Sequence, residues 1–408
     1  MTDSPSAMTP GRALTILSVA ELCAMAPWFS ASAVSGTLAH LWSLTPAGTA
    51  WLTVSVQLGF VAGAFVSSAL ALADLWSARR LFAWSAVLAG LATLAVTVAP
   101  GANAAFALRF LTGAALAGAY PPGMKIVAGW FREGRGTAIG IMVGALTLGS
   151  AFPHLVRWAV PPDAWKLVLT VAALSAGLGA LLILLLPGDG PFAAPSPRFS
   201  WSAVPQILRR PAVRLANLGY LGHMWELYAM WTWTAAFVTA SETARHPVAA
   251  SASMPALVTF SVVAAGAPGC WLGGRLADRW GRTRTTSTAM LISGLCCVLA
   301  GAVFGRPPIL LVPLLLVWGV AVVADSAQFS TAISELAPAE YVGTALTLQT
   351  SLGFLLTCVT IFLLPAVAAR IGWRWTMAIL AVGPAAGIWA MQVLGRRPEA
   401  RLLAGGLG

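Results

Sequence analysis

The sequence predicts an all-α membrane protein with twelve transmembrane helices in two pseudo-symmetric six-helix bundles. Three observations carry this. Of 408 residues, 58% are hydrophobic and 9% charged, against roughly 25% charged in a soluble domain. Uncharged runs at 41–73, 81–108, 167–188, 247–274, 285–305, 341–369 and 375–395 reach or exceed the ~20 residues that a spanning helix needs. A series of landmarks in the first half also recurs, in order, in the second. The runs are continuous and do not alternate, which selects helices over barrel strands as the way to satisfy backbone groups in lipid.

Spans are expected at about 13–36, 49–70, 81–99, 105–127, 136–157, 167–187, 213–238, 252–273, 286–304, 309–331, 342–366 and 375–394. A short polar start precedes the first, as in a signal peptide. Glu21 interrupts its apolar core and the segment has a twin later in the chain, so it is expected to be retained. The net charge of +11 does not imply nucleic-acid binding, because of where the cations fall. Sixteen arginines lie in loops on one side and six basic residues on the other, with Arg109 and Lys125 inside helices. That asymmetry predicts both termini in the cytoplasm. Arginine outnumbers lysine 22 to 2, which suggests a high-GC bacterial host and hence a plasma (inner) membrane. The five cysteines all sit in apolar runs without metal-ligand spacing and read as packing residues.

Four pairs of landmarks define the repeat. Glu21 to Trp28 reads ELCAMAPW and Glu226 to Trp233 reads ELYAMWTW; Asp74 and Asp278 sit in matching LAD loops; Gly136-Thr137-Ala138 matches Gly343-Thr344-Ala345; and Trp165-Lys166 matches Trp373-Arg374. Offsets of 204 to 208 residues place a six-helix bundle in 1–187 and another, with a short cytoplasmic tail, in 212–408. The segment 188–211 between them is proline-rich and basic and reads as a cytoplasmic linker.

The second loop, GRLADRWGRTR (Gly274 to Arg284), resembles the loop signature of the major facilitator superfamily (MFS) at Gly274, Leu276, Ala277, Asp278, Arg279, Gly281 and Arg282. The first-half copy is degraded, with Leu70 and Ser77 in place of glycines. Arg109 with Gly113 resembles a second family motif, arginine-x-x-x-glycine. The resemblance covers nearly the whole chain and implies substrate bound between the halves near the midplane, lined by spans one and seven. It also implies that Asp74, with Arg132 and Arg135 nearby, and Asp278, with Arg279 and Arg282, latch helices at the cytoplasmic face. Val342 stands where the first half has Arg135, so the two latches are expected to be unequal. The family's antiporter ending in span five is missing: glycines stand at 136, 140, 144 and 149, with the proline displaced to Pro153.

An acidic residue at a helix centre costs about 2.5–3.5 kcal/mol by insertion scales, so Glu21 and Glu226 invite explanation. Helical spacing aligns Ser18, Glu21, Met25 and Trp28 on one face and His223, Glu226, Met230 and Trp233 on its twin. Met25, Trp28, Met230 and Trp233 are expected as cavity wall. Glu21, Glu226, Arg109, His223, Asp325 and Gln328 are the expected proton-coupling or substrate groups. The bland alternatives are a protonated glutamate that only ties helices together, a snorkelling Arg109 and hydrogen-bonded structural histidines at 154 and 223. Lys125 is expected to snorkel. Pro121-Pro122-Gly123 should bend or loosen span four, and Asp325 reads as a second acidic cavity residue or a cytoplasmic gate.

No nucleotide loop, catalytic triad or metal-ligand set is legible. The expectation is a monomeric, cofactor-free secondary transporter of a small organic anion or amphipathic solute in the lipid bilayer, coupled to protons and preferably a symporter. A proton-coupled efflux antiporter and a non-transporting sensor on the same scaffold are the alternatives.

Overall fold

The computed structural model describes residues 8–193, 199–246 and 253–408, except for the side chains of Ala73, Asp74 and Arg135. Among the described residues, twelve long helical segments order the chain. They are α1 (Pro10–Ala33), α2 (Pro46–Ala69), α3 (Ala78–Val98), α4 (Ala102–Trp130), α5 (Gly136–Ala159), α6 (Trp165–Leu184), α8 (Met254–Trp280), α9 (Arg282–Val303), α10 (Pro308–Leu336), α11 (Ala339–Ile371) and α12 (Trp373–Gly395), with α7 (Pro211–Arg245) between α6 and α8. Eleven are long and apolar enough to cross a membrane. The other, α7, is 35 residues long and carries Arg214, His223, Glu226 and Glu242.

Several helices begin about one turn before the expected spans do. Thr9 caps α1 by accepting from Arg12 N, and Thr45 caps α2 by accepting from Gly48 N at 3.1 Å, each followed by proline at the first helical position. A capping hydroxyl and a proline satisfy or remove orphan amides, and hydropathy does not register them. α1 breaks at Ala26–Pro27, α4 at Ala117–Ala119, α8 at Ala265 and α10 at Asp325. The break in α4 lies just before Pro121 and Pro122, whose rings clash with the preceding turn.

The halves are built alike. α2 packs on α4 and α3 on α6, as α8 packs on α10 and α9 on α12. Backbone approach at the crossings excludes side chains. A Cβ on Gly59 would lie 1.9 Å from Phe110 O and one on Gly113 2.0 Å from Val56 O; in the second half, Gly269 would meet Val320 O at 2.3 Å and Gly319 would meet Val262 O at 2.0 Å. Small residues let backbones come this close in lipid, which gives the glycine of the arginine-x-x-x-glycine motif a packing reason. The halves meet along α2 against α11 and α5 against α8. Gly144 faces Ala267 across the second seam, whereas Gly149 packs on Leu22 of α1.

The start of the linker is fixed in place. Asp189 accepts from Ala78 N at 2.8 Å and Arg79 N at 3.0 Å, capping α3. Further on, Phe199 and Trp201 pack on Phe65 of α2.

Candidate functional site: a cavity between the halves

α4, α5, α7, α10 and α11 enclose a cavity of ≈ 580 Å³. Its α7 wall is the stripe Tyr220, Met224, Tyr228 and Trp231, at steps of four, four and three. α4 contributes Tyr120, Met124 and Lys125, and α10 a row of hydroxyls, Ser326, Ser330, Thr331 and Ser334. Thr331 and Ser334 donate to carbonyls of their own helix, both at 2.9 Å, and so present oxygen lone pairs to other partners. Lys125 is the only charged side chain among the described lining residues.

One end is closed by aromatic rings from both halves. Trp28 lies 4.9 Å from Phe60, 5.9 Å from Tyr228 and 5.5 Å from Phe354, while Phe29 stacks on Tyr228 and meets Trp231 edge-on at 5.7 Å. At the other, arginine-rich end the cavity shares Ile139, Ala327 and Thr331 with a recess of ≈ 390 Å³ that bears Arg132, Asp278 and Arg282.

Arg109 anchors the plug. It is fully buried, donating from Nη1 to Pro27 O at 2.7 Å and Ser30 Oγ at 3.3 Å, from Nε to Leu52 O at 3.3 Å, and from Nη2 to Trp28 O. The snorkelling alternative is therefore excluded for this arrangement. The guanidinium grips the segment beyond the α1 break that carries Trp28 and Phe29. Lys125, expected to snorkel, instead lines the cavity.

The glutamates lie inside their own bundles and do not line this cavity. Glu226 is buried and accepts from Ser293 Oγ at 2.9 Å, Cys297 Sγ at 3.2 Å and Trp318 Nε1 at 2.5 Å. Glu21 is equally buried, and neither of its carboxylate oxygens has a hydrogen-bond partner among the described residues. It lies against Gly123, whose added Cβ would meet Glu21 Oε2 at 3.2 Å, Phe82 at 3.5 Å and Met142 at 2.5 Å.

The expected cavity wall is also displaced. Trp28 belongs to the plug, Met25 packs on Gly149 of α5, Met230 is buried in the core, and Trp233 Nε1 donates to Ile361 O at 3.0 Å. Span seven lines the cavity through another face, and span one reaches only its closed end, through Trp28 and Phe29. The stripe from Tyr220 to Trp231 is readable in the sequence as an aromatic and methionine spacing, on a face that the charged residues of the span do not share.

His223 Nδ1 sits 2.9 Å from Asp325 Oδ1, both buried, joining α7 to the break in α10. Gln328 accepts from Arg282 Nη1 at 2.8 Å. Arg282 also reaches Asp278 and Glu335, each at 3.3 Å, and Glu335 accepts from Ala404 N. Arg279 is exposed and forms no ion pair among the described residues. The latch partners Asp74 and Arg135 lie, as side chains, outside the described residues. His154, expected to be hydrogen-bonded, is buried with no partner on either ring nitrogen among the described residues. All five cysteines are buried and unbridged; Cys297 is more than packing, since it donates to Glu226. Among the described residues there is no cluster able to hold a metal ion.

Two matching six-helix bundles around a cavity plugged at one end define a multi-pass membrane protein of transporter architecture. The chain belongs to the Major Facilitator Superfamily, whose model matches residues 17–361 and 227–405. The fold is shared with a bacterial homologue of the human lysosomal transporter Spinster (15% identity, TM-score 0.74, 96% of this chain and 98% of that one). It is also shared with the nucleoside transporter NupG (16%, 0.72, 95% and 100%) and the proton:xylose symporter XylE (14%, 0.69, 93% and 94%). Among curated proteins, the niacin transporter NiaP of Acinetobacter baylyi (strain ATCC 33305 / BD413 / ADP1) is 29% identical over 158 residues. That match spans only about a third of the relative's length, 36%, and 38% of this chain.

Proposed function

We propose that this chain is a secondary active transporter that takes up a small organic anion by proton symport across a bacterial inner membrane. Its arginine-rich face and both termini are on the cytoplasmic side. The observation that carries the reading is the cavity: one cation, Lys125, among tyrosines, aromatic rings and hydroxyl oxygens. A partly buried lysine in the cavity wall attracts a negatively charged group, and the tyrosines offer donors and apolar faces to an organic body. The niacin transporter's match over part of the chain agrees with a small organic solute. The units 1–187 and 212–408 rock about the cavity, with 188–211 as their tether. Trp28, Phe29, Tyr228 and Phe354 form the outer gate, held by Arg109, and the Asp278–Arg282–Gln328 cluster works at the inner one. Glu21 is the coupling group, because an unpaired carboxylate in an apolar bundle carries a desolvation cost that a bound proton removes.

The test is uptake by the purified full chain in liposomes, using a panel of labelled organic monoanions that includes niacin, each beside its neutral amide. Acid outside should drive accumulation of at least one anion and not of its amide. Lys125→Gln should weaken apparent affinity at least ~10-fold, the equivalent of about 1.4 kcal/mol. Accumulation driven only by the opposite gradient would replace symport with antiport; preference for the amide would overturn the anion assignment.

A further inference from the structure

Away from the central cavity, the outer surface of the second half carries two depressions that share a wall. One is an apolar groove of ≈ 330 Å³ between α8, α9 and α10, lined by residues such as Leu272, Leu276, Ile292 and Val317. The other is a polar recess of ≈ 590 Å³ between α9 and α12, bearing Arg284, Arg396, Ser287 and Gln392. Trp280 and Thr288 line both. We infer that the pair forms a binding site for an anionic phospholipid, with the phosphate headgroup in the arginine recess and an acyl chain in the groove.

Three features select this occupant. Arg284 and Arg396 are exposed and form no ion pair among the described residues. The neighbouring carboxylates are already engaged: Asp278 and Glu335 with Arg282, and Glu399 with Arg397 at 3.2 Å. The recess therefore keeps its positive charge, as basic pockets between transmembrane helices do where they take anionic headgroups. Second, the groove starts where the recess ends, so charge and apolar surface are stacked in the order in which a phospholipid presents its phosphate and its tail. Third, Trp280 stands at their junction, half exposed, and tryptophan is enriched where headgroups meet hydrocarbon. The groove floor is the α8–α10 crossing, where a Cβ on Gly273 would lie 1.8 Å from Ala324 O. A lipid seated there bears directly on the α10 break at Asp325.

The experiment is native mass spectrometry of the delipidated full chain in detergent, titrated with phosphatidylglycerol or phosphatidylcholine of matched tails, with glycerol phosphate as competitor. One phosphatidylglycerol should bind in preference to phosphatidylcholine by roughly 30-fold, the contribution of two arginines near a charged surface. The double variant Arg284→Gln/Arg396→Gln should lose that preference, and Thr288→Trp, which blocks the junction, should lose the bound lipid. Thermal unfolding without lipid checks that both variants fold. An unchanged preference in the double variant would overturn the site. Equal competition by glycerol phosphate would reduce it to an anion recess and remove the acyl groove. Transport is not read in this assay, so its result stands apart from that of the uptake test.

Discussion

The first and second halves each bury a glutamate in a matching octapeptide and treat it in opposite ways. In the second half Glu226 is wrapped by Ser293 and Cys297 of α9 and Trp318 of α10. In the first half Glu21 meets Gly123 of α4, with Phe82 of α3 and Met142 of α5 at the same spot, and no donor reaches it among the described residues. Pseudo-symmetry thus fixes the position of the carboxyl group while the neighbouring helices decide its chemistry. A carboxylate with three donors is a fastener. One without donors is free to exchange a proton whenever the bundle admits water, and this difference is why Glu21 is assigned the coupling role. His223, on the same helical face as Glu226, faces Asp325.

The largest effect should appear in transport. Glu21→Gln should still exchange solute across the membrane yet lose proton-driven accumulation altogether, since an amide cannot release a proton. Glu226→Gln should keep most of its accumulation. Proteoliposome uptake with and without a pH gradient reads both. Wild-type accumulation in the Glu21 variant would sink the coupling role, and loss in the Glu226 variant alone would reverse the comparison.

Stability should show the opposite ranking. Glu226→Leu leaves Trp318 Nε1 and Cys297 Sγ without this acceptor, and a buried donor left unsatisfied costs about 1–3 kcal/mol. Glu21→Leu strands nothing and removes a polar group from apolar surroundings, so it should fall within about 1 kcal/mol of the parent or above it. Unfolding of both variants in detergent measures this. Equal losses would mean that Glu21 has partners in another state of the transport cycle.

The smallest effect is expected at the arginine-rich face. Asp278 is 62% exposed, and Arg282 keeps Gln328 and Glu335 without it. Exposed ion pairs contribute about 0–1 kcal/mol, so Asp278→Asn should barely change stability. From the sequence, Asp74→Asn should slow the transport cycle more, because Arg132 and Arg135 stand near it and Val342 replaces the second-half counterpart. Matching transport rates in the two asparagine variants would remove the proposed inequality of the latches.

The helical membrane fold was legible because hydrophobic length, charge side and repeat are all properties of composition along the chain. Lipid leaves the backbone almost no alternative to spanning helices. Helix starts were displaced by about a turn at Thr9 and Thr45, where a hydroxyl and a proline, and not hydropathy, begin the helix. The breaks in α1 and α4 follow from Pro27, Pro121 and Pro122, which any reading of the chain contains.

The site was legible only in part. Sequence singled out Glu21, Glu226, Arg109, His223, Asp325 and Gln328 as candidate coupling or substrate groups, and all six are buried. It could not say what each one touches. The partners of Glu226 come from two other helices, those of Arg109 from α1 and α2, and the cavity wall of α7 is the face that the charged twin residues do not occupy. A helix's own spacing fixes which residues share a face, so the sequence by itself determined the twelve helices, their two-fold repeat and the composition of each face. Which face turns toward the cavity, toward its own bundle or toward lipid is settled by packing between helices far apart in the chain. Only the tertiary structure could therefore separate a fastened glutamate from an unpartnered one, and place Lys125 and three tyrosines around one cavity.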